Sequence, residues 1–123
     1  MPVRRSERLD GCELVWTDDR IAVVGVVDQV NAGAVAGRLC AAVAGVVTVI
    51  DLGGVTFFSA AGMHVLEAVA AAAAAADAIV QVSCSVAVWE IAEVCGATDL
   101  PGLVLDRYPR ADPDEVEGRG AKP

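Results

Sequence analysis

The chain has 123 residues, the length of one domain, and its 55% hydrophobic content is ample for a single core. Its net charge of −8 is unevenly spread: residues 11–106 carry eleven acids against Arg20 and Arg38 alone, and no Lys or Arg stands between Leu39 and Asp106. Phosphate backbones need Lys and Arg, so nucleic acid is disfavoured as a partner, and an acidic body suits a protein with a basic patch.

The longest stretch without a charged residue, Leu52–Leu66, has fifteen residues, short of the ~18–20 of a membrane-spanning helix. No direct membrane insertion is expected. The start, MPVRRSERLDG, is charged and lacks the apolar run of a signal peptide, which points to a cytoplasmic protein. Cys12, Cys40, Cys84 and Cys95 are scattered and the single histidine is His64. They therefore read as reduced, mostly buried thiols, with no metal site and no cofactor expected.

Residues 1–10 are polar and are expected to be flexible. Cys12–Trp16 and Arg20–Val27 read as strands of an antiparallel hairpin around the polar turn Thr17–Asp19. Asn31 is placed to cap a helix over Ala32–Ala44, whose Val35, Leu39 and Val43 make an apolar face, and Gly45 ends it.

The stretch Val46–Leu66 organises the rest. Val46–Ile50 is apolar and β-branched, as expected of a strand covered on both faces; Asp51 closes it and Gly53–Gly54 breaks the pattern. After Thr56–Phe58, Ser59 stands as an N-cap before a helix from Ala60. That helix carries Met63, Leu66 and Val69 on one face, then seven alanines, Ala70–Ala76, which pack closely and favour helix. Ile79–Ser83 is a further strand, Ser85 or a neighbour caps a helix over Val86–Cys95, Gly96 stops it, and Leu103–Leu105 is a last strand. Residues 107–123, rich in charge, Pro and Gly, are expected to be disordered.

The order is β-β-α-β-α-β-α-β, with later strands parallel through right-handed crossovers. Open α/β sheets usually place their function where a strand's carboxyl end leads into a helix N-terminus, here the loop at Ser59.

The series VVGVVD at Val23–Asp28, VTVIDLGGVTFFSAAGMHVL at Val47–Leu66 and VAVWEIAEVCGATDLPGL at Val86–Leu103 resembles the STAS domain, named for sulphate transporters and anti-sigma factor antagonists. The match covers about residues 12–106, and the STAS-like domain is placed at 11–106. The resemblance implies an α/β fold with a four- or five-stranded mixed sheet and three to four helices. It also implies a bacterial, non-enzymatic regulator of transcription that binds an anti-sigma factor of the kinase type, and a homodimer is compatible with it. In the family, a phosphorylatable Ser lies two places before the Gly of the loop. Here that place is Ala60, followed by Ala61 and Gly62, and Ser59 stands where the family has Asp or Gly. Ser59 is thus the candidate for phosphorylation, displaced by one residue, or the chain is not phosphorylated.

By the same resemblance the partner surface is Asp28 with Phe58, Ser59, Ala60, Ala61, Gly62, Met63 and His64. Each has a plainer reading. Ser59 serves as a cap, Asp28 as a turn carboxylate, Met63 as core, and His64 as a solvated side chain. Phe57, Phe58 and Trp89 default to burial, although an exposed Phe58 or Trp89 would anchor a partner. Two other roles remain open: an accessory subunit of a lipid-transport ABC ATPase, which fits the missing hydroxyl at Ala60, and small-ligand sensing, for which no residue speaks.

Overall fold

The structure, a computed structural model, describes residues 4–107. Six strands and three helices alternate as β1 (Arg5–Leu9), β2 (Cys12–Thr17), β3 (Arg20–Val27), α1 (Ala32–Ala44), β4 (Val49–Phe58), α2 (Ala61–Ala75), β5 (Val80–Cys84), α3 (Val86–Val94) and β6 (Leu103–Arg107). The strands form one sheet in sequence order, β1-β2-β3-β4-β5-β6. β1–β3 pair antiparallel and β3–β6 pair parallel. The three crossovers step in one direction across the sheet, so right-handedness puts all three helices on one face.

Burial follows from that arrangement. Ile21, Val23 and Val27 of β3, Ile50, Leu52, Val55 and Phe58 of β4, and Val80, Val82 and Cys84 of β5 are buried beneath the helices. Against them pack Val35, Leu39 and Val43 of α1, Val65, Leu66, Val69 and Ala73 of α2, and Val88 and Ala92 of α3. The alanine tract divides as its helical phase requires, Ala70 and Ala73 being buried and Ala71 and Ala74–Ala76 exposed.

The opposite face of the sheet is uncovered by any described element, which corrects the expectation of a central strand buried on both sides. Val24 of β3 and Val104 of β6 are 47% and 48% exposed there.

Two further expectations change. The segment read as a flexible lead contains β1, a sixth strand. It pairs with β2 through a two-residue Asp10–Gly11 turn in which Gly11 takes a positive φ of 88°. Its charged side chains are held by the Arg5 guanidinium, 4.2 Å from the centre of the Trp16 ring, and by a forked Glu7–Arg38 pair at 2.9 and 2.7 Å.

β4 is ten residues long where five were expected, because Gly53–Gly54 stays within the strand. It bulges twice against β3, between the partners of Ala22 and Val24 and between those of Gly25 and Val26. The bulges reset the alternation so that Leu52, Val55 and Phe58 all face the helices. Residues 108–123, the larger part of the segment expected to be disordered, lie outside the described residues.

Candidate protein-docking site

The carboxyl ends of the parallel strands form one rim, where the β3–α1, β4–α2 and β5–α3 connections lie side by side. Asp28 and Asn31 lock the first connection. The Asp28 Oδ1 atom accepts from the backbone N–H groups of Val30 at 3.0 Å and Asn31 at 3.3 Å, while Asp28 N–H donates to Asn31 Oδ1 at 3.0 Å. Asn31 does not cap α1 with its side chain, contrary to expectation. Buried at this position, its Nδ2 donates to the carbonyls of Asp10 and Val26 and approaches Cys12 Sγ at 3.7 Å, tying the β1–β2 turn to the end of β3. Asp28 is therefore a turn carboxylate with its charge partly spent on backbone donors.

The β4–α2 connection is two residues, Ser59 and Ala60. Ser59 N–H donates to the Val27 carbonyl at 3.0 Å, and the Ser59 carbonyl accepts from Gly62 at 2.8 Å. Its Oγ accepts from Ala61 N–H at 3.2 Å. The helix starts one residue later than expected, with Ala60 at the cap position and no side-chain cap bond from it. Ser59 nevertheless satisfies one of the free N–H groups of the first turn from outside. At the β5–α3 connection Ser85 caps as expected, accepting from Val88 N–H at 3.3 Å.

The residues expected at the partner surface separate into two sets. Phe58 is 3% exposed, beneath α2, and Gly62 and Met63 are buried with it; none of the three offers surface. Ala61 is half-buried. Ala60 and His64 are exposed one turn apart, and His64 Nδ1 lies 3.5 Å from Glu67 Oε1. Ser59 is half-buried between the sets.

The residue that sequence reasoning missed is Phe57, 53% exposed at the end of β4. Adjacent strand residues face opposite sides, so burial of Phe58 turns Phe57 outward. The Phe57–Phe58 pair itself was the available signal. Val30, in the neighbouring connection, is also exposed. Trp89 is half-buried against the core, not free as an anchor.

The buried thiols are poor nucleophiles. Burial, aided by Asp106, pushes the Cys84 thiol up to about 12, and burial with Asp28 raises that of Cys12. Among the described residues no group of His, Cys, Asp or Glu side chains is arranged to hold a metal ion. No described helix is long and apolar enough to cross a membrane.

No protein-family model and no curated protein sequence matches the chain. Solved structures do. An anti-sigma factor antagonist from Mycobacterium paratuberculosis superposes with a TM-score of 0.52 at 23% identity, covering 97% of this chain and 95% of that one. The anti-sigma factor antagonist SpoIIAA in its unphosphorylated form superposes with a TM-score of 0.53 at 14% identity, covering 98% and 100%. The chain thus has the STAS fold of the anti-sigma factor antagonists over nearly its whole length.

Proposed function

We propose that the chain is a non-catalytic binding protein, an anti-sigma factor antagonist that docks a kinase-type anti-sigma factor through the rim formed by β4 and α2. The observation that carries this reading is the exposed set Phe57, Ala60 and His64 around Ser59, on the fold shared with two anti-sigma factor antagonists. Phe57 supplies the apolar anchor, and the small Ala60 lets a partner approach the backbone closely.

Ser59 is the proposed acceptor of a phosphate. Placed there, the phosphate would meet free N–H groups of the first turn of α2 and add about −1.5 to −2 charge at the rim. Titration calorimetry of the protein against a kinase-type anti-sigma factor tests both parts, with the mass of the protein read after incubation with ATP. Binding lost in Phe57→Ala and in Ser59→Glu supports the reading. The switch is abandoned if Ser59→Ala and Ser59→Glu both bind as the parent does and no phosphate is added.

Ala60 favours one second reading. An exposed methyl group where the family has its acceptor hydroxyl suits a permanently competent subunit, such as an accessory to a lipid-transport ATPase. Capture of that ATPase in place of an anti-sigma factor, with unmodified Ser59, would support it.

A further inference from the structure

The uncovered face of the sheet is apolar and acidic in a connected pattern. Val24 stands opposite Gly54, and Val26 opposite Phe57; on the other side of β4, Val49 stands opposite Gln81, which stands opposite Val104. A Cβ on Gly54 would come 3.0 Å from Val24 Cγ2 and 3.4 Å from its Cβ and Cγ1, so Val24 packs over the glycine and fills the place of its missing side chain.

One row deeper, Asp51 stands opposite Ser83 and Ser83 opposite Asp106. Each carboxylate has one oxygen held within the sheet, Asp51 Oδ1 by Gly53 N–H at 2.8 Å and Asp106 Oδ2 by Gln81 Nε2 at 2.9 Å. The other oxygen of each accepts no hydrogen bond from the described residues. Among the described residues Arg20 is the one base on this face between β3 and β6, and it lies at the far end of β3 in the row of Val49.

We propose that this face, from β3 to β6, is a second docking surface that takes a basic amphipathic helix of a partner protein. Four strands span about 14 Å at ~4.8 Å per gap, which accommodates one helix of about 10–12 Å diameter. The apolar stripe of the helix covers Val24, Phe57 and Val104, and its Lys or Arg side chains reach Asp51 and Asp106. Charge argues against a second copy of this chain as the occupant, because face-to-face stacking would bring the same two carboxylates against each other. Phe57 borders both this face and the proposed rim, so Val24, Val104, Asp51 and Asp106, which the rim reading does not use, are the residues that tell the two surfaces apart.

The test is a titration of the full-length, isotope-labelled protein with a synthetic helix of about 18 residues, long enough to hold helix. One peptide carries a Leu stripe and a Lys face; a control carries Glu in place of Lys. The Lys peptide is expected to shift the amides of Val24, Phe57, Ser83 and Val104 and to leave α1–α3 unmoved. Binding should weaken about tenfold in the double variant Asp51→Asn with Asp106→Asn and again in Val24→Ser with Val104→Ser, while thermal melts stay unchanged. The Asn variants keep an oxygen for Gly53 and Gln81, so lost binding is not lost fold. The proposal is overturned if the shifts fall on the helices or the rim alone, or if the Glu peptide binds as tightly. It is equally overturned if sedimentation shows a dimer that Val104→Ser dissolves, or if residues 108–123 contact Val24 and Phe57 in the free protein.

Discussion

The ring of Phe58 lies directly against Gly62: a Cβ on that glycine would stand 2.5 Å from Phe58 Cζ. The last residue of β4 and the second residue of α2 are thus in contact without a side chain between them, and this sets how closely the helix sits over the strand. Replacing Gly62 by Ala forces the ring or the helix to move. We expect a loss of about 1–3 kcal/mol in urea unfolding, despite the gain in helix propensity. A stabilised Gly62→Ala protein would show that the ring yields freely.

The two adjacent phenylalanines should behave oppositely. Phe58→Ala removes a buried ring and is expected to cost ~3–5 kcal/mol. Phe57→Ala, at the surface, should stay within about 0.5 kcal/mol of the parent while abolishing partner binding at the rim. Equilibrium unfolding and calorimetry on the same pair of variants check both.

Asn31→Ala leaves the Asp10 and Val26 carbonyls without their donor in a buried place. The expected cost is about 2 kcal/mol or more, read in denaturant. Hydrogen exchange should speed first at the β1–β2 turn, which the Val26 N–H bond to the Gly11 carbonyl at 2.8 Å would then hold to β3 without the side chain's help.

Cys84 and Cys95 should differ in chemistry and in their effect on pH stability. Cys95 is exposed and should alkylate in minutes at neutral pH, whereas Cys84 is buried and protonated. Its thiol is raised in the fold from an ordinary 9.0 to about 12. The unfolded chain therefore gives up this proton first, so the contribution is fully present below about pH 9 and lost as the pH rises toward about 12. Cys84→Ala should flatten that alkaline decline, measured as the melting temperature against pH.

What the sequence disclosed was mostly what periodicity carries. α1 has the bounds and the buried Val35, Leu39 and Val43 that spacing predicts, β3 has its predicted limits, and Ser85 caps α3. β1 escaped because its sequence, RSERL, has no apolar alternation; it is held by backbone pairing and by Arg38 and Trp16, partners remote in the chain. β4 was truncated because Gly53–Gly54 has the look of a break, and two bulges replace the two-residue period with steps of three at Leu52, Val55 and Phe58. At the rim, Ala60 and His64 are exposed near a helix start, where their places in the sequence put them, and Ser59 is half-buried. The assignment of Phe58 to that surface failed for want of the register that decides which of two neighbouring rings turns inward.

The identity of strand order and chain order has a meaning for how the molecule is made. No strand slots between two that are already paired, so each newly synthesised unit finds a single waiting edge left by the segment before it. The β1–β3 hairpins can close on their own local contacts, and each helix-plus-strand unit then adds to the growing side. Synthesis from the amino terminus delivers the pieces in the order in which the sheet accepts them.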